Sequence, residues 1–334
     1  MNASLVEVEA SLIFQLKVQV AWIFINLSMG NAKQQKALVR RGVLKALIRQ
    51  AKSCDFIGGD FAEIARLTVW ALGNFVVDSQ TSRDLVLNEG VLACLAKVFE
   101  RMKFEADLRH EIIFFIHNCF VRSYEGKEVK PLPSLTKVVP GLRILSSVLR
   151  MLSDIDMDEV KQDELLNQVL NTFSLISENS PDIVAKLADE FEFHSTLVQI
   201  ISKSRSQELL SHSLTLIIRL SALKQADHHV LVFLGVVDEG GSLLLQAFKR
   251  ILTDPLCPAH LKCEVLLAFS NFAGDKNPCV LQQLINSRIY QDTLIPLLLS
   301  FDGTSADEGS FRVQNELSYA FANVFMYTKF EAVK

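Results

Sequence analysis

A short pattern, an Asn near the end of an apolar helical stretch, recurs along the 334 residues of this chain. The stretches AWIFINLS, VWALGNFV and SYAFANVF come from distant parts of the chain and share it. Successive members lie 44 to 53 residues apart. One unit of this size cannot bury its own apolar face, so the recurrence indicates a protein of stacked repeats. The members of the series, which we call the ladder positions, are Asn26, Asn74, Asn118, Asn171, Arg219, Asn271 and Asn323.

The residues between ladder positions carry a helical pattern. Glu63–Val76 and Leu209–Leu220, for example, place apolar residues at three- and four-residue steps, which is typical of amphipathic helices. A Gly also stands 28 to 32 residues before a ladder position in four of the units. A sharp turn between a short first helix and a longer second helix needs positive φ there, which favours Gly. These glycines are Gly42, Gly90, Gly141 and Gly240.

Each unit therefore predicts a short helix, a Gly turn, a second helix and a long third helix that bears the ladder residue. This is the organisation of an armadillo repeat. The sequence predicts an all-α, right-handed superhelical armadillo solenoid of about seven three-helix repeats. Residues 1–334 are expected to form a single elongated domain, with incomplete terminal repeats acting as caps. The cap helices are expected at Ser4–Ser28 and Phe311–Phe330.

Composition excludes several other classes of protein. A hydrophobic content of 49% and a net charge of -4 exclude disorder and argue against nucleic acid as the main partner. Uninterrupted apolar runs such as Ile112–Ile116 are far shorter than a membrane span of about 20 residues, so no membrane is expected. The six scattered cysteines fit a reducing compartment. We expect no cofactor, no metal site and no enzyme activity, and we expect His228 and His229 to form a surface pair.

Two ladder positions carry a second feature that indicates peptide binding. Trp22 precedes Asn26 by four residues, and Trp70 precedes Asn74 by four, so each pair lies on one helix face. An Asn amide can bond both the N–H and the C=O of an extended peptide. A neighbouring Trp can wall a slot for the aliphatic stem of Lys or Arg. The pattern favours an extended, cationic peptide as the ligand.

The segments VQVAWIFINLSMG and VWALGNFVVDSQTSRDLVLNEGV resemble consecutive armadillo repeats of the importin-α family. Weaker similarity extends over the chain and corresponds to about seven of the family's ten repeats. The resemblance implies an adaptor for nuclear import, present in the cytoplasm and the nucleus, and expected to be a monomer. Its implied partners are the lysine-rich nuclear localisation signals of cargo proteins.

The resemblance also implies two peptide sites. Asp78 matches the family carboxylate that clamps the critical lysine, and Gly30 matches the glycine whose carbonyl helps to hold it. The implied major site comprises Trp22, Asn26, Gly30, Trp70, Asn74, Asp78, Glu111, Phe114 and Asn118. The implied minor, weaker site comprises Asn171, Arg219, Glu264, Asn271, Glu316, Tyr319 and Asn323.

The sequence departs from the family pattern in ways that keep a second function open. Phe114 and Tyr319 replace Trp, and Leu67 replaces a polar residue. Met1–Lys17 also lacks the basic segment by which the family binds importin-β, so the usual recruitment of importin-β is expected to fail and only indirect engagement stays open. The alternative is a general armadillo scaffold, or a decoy that sequesters cargo without coupling to importin-β.

Overall fold

The chain is described here from a computed structural model, which divides into two compact units, Met1–Ser147 and Val148–Lys334. The single-domain expectation stays a prediction. The structure describes residues 3–53, 60–101, 106–121, 133–153, 160–180, 183–185, 188, 193–223, 226–238, 241–301 and 308–327.

The first unit is built from helices joined by short turns. Two complete repeats follow the long first helix, each with a short first helix, a second helix and a longer third helix. The boundary between the two units falls within the last helix. These helices are α1 (Ala3–Ser28), α2 (Ala32–Arg40), α3 (Val43–Ser53), α4 (Asp60–Asp78), α5 (Gln80–Asn88), α6 (Val91–Arg101), α7 (Ala106–Phe120) and α8 (Leu135–Ser153).

The second unit is also helical, apart from one short β-hairpin and one π-helical segment, Tyr290–Leu294. Val237 pairs with Ser242 in the hairpin. The strands are β1 (Val237–Asp238) and β2 (Gly241–Ser242). The helices are α9 (Val160–Asn179), α10 (Phe193–Lys203), α11 (Gln207–Ser221), α12 (Ala226–Gly235), α13 (Leu243–Thr253), α14 (Ala259–Ala273), α15 (Pro278–Asn286), α16 (Ile295–Leu299) and α17 (Glu308–Tyr327).

The prediction of an all-α helical solenoid is confirmed. Third helices pack side by side within each unit: α4 lies against α1 and α7 in the first, while α11 lies against α9 and α14 in the second. Because α4 packs against α3 as well, most of its surface is buried and apolar. Its residues Leu67, Ala71 and Phe75 are fully buried. The handedness and the number of repeats stay predictions.

Local signals set the ends of the short helices. Asn31 begins α2 with a capping box, in which its side chain accepts from the backbone N–H of Gln34 and the Gln34 side chain accepts in return. Such a box satisfies donors that a helix start leaves unpaired. The predicted turn glycines Gly42 and Gly90 have φ of +85° and +74°, so a side chain at either position would strain the turn.

Two glycine predictions have a different outcome. The expectation of a turn at Gly141 was wrong, because this residue lies inside α8, directly after Pro140. A Cβ at Gly141 would approach the Leu92 side chain at 3.3 Å, so close packing is the structural reason for Gly there. Gly240 lies outside the described residues, and its neighbour Gly241 takes the positive φ of +100°.

The predicted caps are helical where the structure describes them. Ser4–Ser28 lies within α1, and Phe311 lies within α17, of which residues 328–330 fall outside the described part of the chain. By length and composition alone, the Ser11–Ser28 segment of α1 could cross a membrane. No long uninterrupted apolar run marks this segment, because Gln15, Lys17, Gln19 and Asn26 divide its apolar residues. Core helices and N-terminal signals pass the same criterion, so the segment is weak evidence for a membrane.

The expected surface histidine pair is wrong for one of its members. His229 is buried, and its ring Nδ1 lies 2.9 Å from Nε2 of the buried His194. The His194 ring also meets Phe233 edge-on. Within the described residues, no group of three or more His, Cys, Asp or Glu side chains could hold a metal ion.

The contact between α4 and α7 yields a stability prediction for Gly73. A Cβ at this position would lie 2.7 Å from Cε1 of Phe114, so we expect Gly73→Ala to lower the free energy of unfolding. Overpacking of about 1–3 kcal/mol outweighs the helix propensity of about 1 kcal/mol that Ala adds. The measurement is thermal unfolding followed by circular dichroism.

Gly235→Ala is the matched control, because a Cβ at this helical position meets no atom within 4 Å. It should leave stability unchanged or raise it slightly. If Gly73→Ala proves as stable as this control, the close packing of Phe114 on α4 is incorrect.

Candidate functional site

The ladder asparagines join neighbouring repeats, and this is the first feature of the candidate site. In the first unit, Nδ2 of Asn74 donates to Oγ of Ser28 at 3.1 Å, and Nδ2 of Asn118 donates to the Gly73 carbonyl at 3.2 Å. Each bond runs from one third helix to the preceding one. A buried amide without a partner would be costly, so these bonds help to fix how adjacent repeats pack. Asn26, in contrast, lies exposed on α1.

The second unit repeats this arrangement. Nδ2 of Asn271 donates to the Ile218 carbonyl and to Ser221 Oγ, at 3.1 and 3.0 Å. Nδ2 of Asn323 donates to the carbonyl and the hydroxyl of Ser270, at 3.1 and 2.7 Å. Each of these two amides thus donates to a carbonyl and a hydroxyl of the preceding third helix.

Arg219 takes the same structural position with a different side chain. Its Nη1 donates to Ser177 Oγ at 2.6 Å and to the Ser174 carbonyl, both on α9. The Arg thus replaces the inter-repeat bond that Asn makes elsewhere in the series. Asn171 is half-buried on α9.

The remaining minor-site residues lie on the last two third helices of the second unit. Glu264 is half-buried on α14, and one of its carboxylate oxygens accepts from Ser211 Oγ at 2.9 Å. Burial raises the pKa of this carboxyl, while the bond from Ser211 lowers it. Glu316 is half-buried and Tyr319 is exposed on α17. Both acids therefore lie partly exposed on a third helix, and their role in ligand binding stays a prediction.

The two tryptophans of the major site contact each other. The rings of Trp22 and Trp70 meet edge-on with centroids 5.5 Å apart. An aliphatic chain between two rings needs about 3.5–4.0 Å on each side. A slot between these two side chains is therefore closed in this conformation. Trp22 is the more exposed of the two, with 36% of it accessible on α1.

A polar network surrounds the carboxylate that the sequence assigned to lysine recognition. Asp78 at the end of α4 accepts from Nε2 of Gln35 at 3.0 Å, and the same amide group donates to the Ser28 carbonyl at 2.7 Å. Ser28 also accepts from Asn74 through its hydroxyl. The network places Asp78 and Asn74 beside the carboxyl end of α1, where the helix dipole favours cations.

Gly30 lies two residues beyond the end of α1 and close to the start of α2. A Cβ on Gly30 would stand 2.5 Å from Oε1 of Gln34, the oxygen that caps the Asn31 N–H. Gly is required there by the capping box. Its place next to the end of α1 is compatible with the carbonyl role implied by the resemblance.

A second charged cluster lies one turn before Trp70. Nε and Nη2 of Arg66 donate to the two carboxylate oxygens of Glu63 at 2.8 and 2.9 Å, and Nη1 donates to Glu111 at 3.5 Å. The Arg66 guanidinium carbon lies 6.0 Å from the centre of the Trp70 ring. Burial raises the pKa of Glu111 to about 7, opposed by Arg66 and supported by the charge of Asp107.

The ladder region of α7 is more buried than that of α4. Asn118 is 5% exposed, and the ring of Phe114 covers Gly73. Leu67 is fully buried, so this departure from the family pattern belongs to the core rather than to a ligand slot. The exposed polar part of the candidate site is therefore centred on α1 and α4.

Sequence reasoning missed three residues of this site: Ser28, Gln35 and Arg66. The helical period could have found Arg66, since it stands four residues before Trp70 and on the same face. Gln35 could not be found in this way, because its partner Asp78 is 43 residues away. Nothing in the local sequence of α2 indicates this contact.

The packed third helices place the chain among all-α helical repeat proteins. Comparison with known proteins adds a distant relation to importin-α. Over 175 residues the chain is 25% identical to importin subunit alpha-2 of Arabidopsis thaliana, covering 52% of this chain and 28% of that protein. Over 192 residues it is 23% identical to importin subunit alpha-1b of Oryza sativa subsp. japonica, covering 58% and 32%.

These matches are partial. Over 90 residues the chain is 29% identical to importin subunit alpha-6 of Arabidopsis thaliana, covering 27% of this chain and 16% of that protein. The aligned parts thus span a third or less of the curated relatives. No family model matches the chain. A crystal structure of an engineered protein aligns over 93% of this chain and 65% of its own, with a TM-score of 0.64 and 14% identity. That likeness supports the fold alone.

The raised pKa of Glu111 predicts a pH-dependent loss of stability. The pKa is about 7 in the folded chain against an ordinary value of 4.5, so the native state holds this proton more tightly than the unfolded state. Stability should fall as pH rises between these values. Glu111→Gln should remove the loss and become more stable relative to the unmodified chain, by on the order of 1–3 kcal/mol at pH 8.

Urea unfolding at pH 5 and pH 8 tests this prediction. Both Trp residues of the chain lie in the first unit, so their fluorescence reports on it. Glu89→Gln is the control, because this exposed carboxylate pairs with Lys52, outside the Arg66 cluster, and its replacement should leave the pH dependence unchanged. A stability difference between Glu111→Gln and the unmodified chain that does not vary with pH would contradict the assignment.

Proposed function

We propose that this chain is an importin-α-like adaptor that binds lysine-rich nuclear localisation signals in an extended conformation. The site is the third-helix face, defined by Trp22, Asn26, Trp70, Asn74 and Asp78. The observation that carries the proposal is the convergence of Asp78 and Asn74 at the carboxyl end of α1.

Electrostatics favours a lysine at this point. Gln35, which donates to Asp78, is a neutral group, so this bond does not cancel the charge of the carboxylate. The carboxyl end of α1 adds the partial negative charge of its last carbonyls. An ammonium group has three donors and can bond a carboxylate and helix carbonyls together. The face therefore selects Lys by charge and by hydrogen bonding.

Asn74 supports binding of the peptide backbone. One hydrogen of its Nδ2 is donated to Ser28, and an amide has a second hydrogen and an acceptor oxygen. The exposed Asn26 on the preceding third helix provides a second amide. Two amides on adjacent helices can bond alternate residues of an extended chain.

Binding requires the tryptophan slot to open. Trp22 has to leave Trp70, at a cost of about 0.5–1.5 kcal/mol for the lost aromatic contact. The aliphatic stem of a ligand Lys or Arg then replaces that contact. This step makes the peptide site an induced one, in which the ligand completes the packing.

The proposed partners are basic segments of cargo proteins, and the proposed locations are the cytoplasm and the nucleus. The role is non-enzymatic and uses no cofactor. Coupling to importin-β is proposed only as indirect. The minor site in the second unit is proposed as the weaker one, since Asn271 and Asn323 each donate to two acceptors of the preceding helix.

The test is fluorescence anisotropy of a labelled PKKKRKV peptide at two salt concentrations. The unmodified chain should bind at micromolar affinity or tighter, about -8 kcal/mol, and binding should weaken with salt. Asp78→Lys should abolish it, because a like charge then faces the ligand lysine. Asp78→Asn keeps an acceptor for Gln35 and should retain weaker binding.

A peptide with its lysines replaced by alanine serves as the ligand control and should not bind. Unchanged affinity in Asp78→Lys, or equal binding of the alanine peptide, would reject signal recognition by this face. The general armadillo scaffold would then be the better description, with the same face serving another extended segment.

A further inference from the structure

Arg66 occupies a position on the third-helix face that is built to hold a cation. Its guanidinium makes a two-pronged bond with Glu63 and reaches Glu111 at 3.5 Å. It also lies over the Trp70 ring, at 6.0 Å from the ring centre. We call Glu63, Trp70 and Glu111 the cation seat.

The cation seat combines the groups that recognise an Arg or Lys side chain of a ligand. Paired carboxylate oxygens match the fork of a guanidinium, and an aromatic face attracts a cation. Trp70 is also a wall of the slot proposed for the peptide. The side chain that fills the seat therefore belongs to the protein itself and stands where a ligand cation is expected.

The pair of Arg66 and Glu63 is partly open to solvent. Its side chain is 19% exposed and that of Glu63 is 40% exposed, so water and a ligand can reach the bidentate pair. Glu111 is more deeply placed, with 11% of its side chain exposed. Glu63 is therefore the solvent-exposed side of the seat, and Glu111 is its buried side.

We propose that Arg66 is an internal occupant of the cation seat, and that a cationic side chain of the bound peptide enters by displacing it. This inference rests on the proposed function, because it names how the same face is regulated. Because Arg66 competes with the ligand, part of the binding free energy is used to displace it. Only a segment with several cationic side chains then binds the face tightly. Arg66 is thus a specificity-determining residue.

Replacing Arg66 tests the competition directly. Arg66→Ala should bind the PKKKRKV peptide about tenfold more tightly than the unmodified chain, equal to about 1.4 kcal/mol. Arg66→Gln removes the charge but keeps a donor for Glu63, and it should show a gain of the same sign. Arg66→Lys keeps the charge but loses the two-pronged bond, so its gain should be smaller than that of Arg66→Ala.

A matched control separates the seat from the overall charge. Lys97→Ala removes one positive charge from the exposed surface of α6 in the same unit and should leave affinity within about twofold. Combining Arg66→Ala with Glu63→Gln should cancel most of the gain, because the incoming cation then loses its carboxylate partner. Tryptophan fluorescence during urea unfolding checks that each variant stays folded.

The outcomes distinguish this inference from the proposed function. If the unmodified chain binds the peptide and Asp78→Lys does not, but Arg66→Ala and Arg66→Gln bind no more tightly, internal occupancy is wrong and signal binding stands. If the unmodified chain does not bind, binding that appears only in the Arg66 variants supports occupancy. Absence of binding in all of them overturns both.

Discussion

The bond that four of the ladder asparagines donate to the preceding third helix is the interaction on which the rest of the structure depends. It can form only when two third helices lie in contact and in one register, as for Asn74 with Ser28 and Asn118 with Gly73. A buried amide that missed its partner would lose the free energy of a hydrogen bond and its hydration together. The packing of α4 on α1 and α7, and with it the arrangement of the exposed polar residues, follows from this requirement.

The same requirement explains why the balance between repeat packing and availability to a ligand differs among the ladder asparagines. At Asn118 the amide is buried and donates to the Gly73 carbonyl, so its role is structural. At Asn74 one hydrogen of the amide holds the repeat together, and the group stays half-exposed beside Asp78. Function on this face thus depends on how much of each amide the repeat contact leaves for a ligand.

The sequence predicted the helices and two of the four Gly turns, because both kinds of feature are local. Positive φ at Gly42 and Gly90 follows from the short connection between two helices, which the repeat pattern makes visible. Gly141 failed because the same residue type also allows close helix packing, and sequence cannot distinguish the two uses. The closed contact of Trp22 with Trp70 was not predictable, since the spacing of four residues fixes a helix face and leaves the rotamer undetermined.

By itself, the sequence determined that this chain is a series of helical repeats, because apolar periodicity and a recurrent Asn are properties of the chain read in order. Only the tertiary structure decided which polar groups meet: Gln35 with Asp78, and Arg66 with Glu111. Those contacts join residues more than forty positions apart. Their strength comes from burial between packed helices, where a lower effective dielectric constant makes charge and hydrogen bonding count for more than in water.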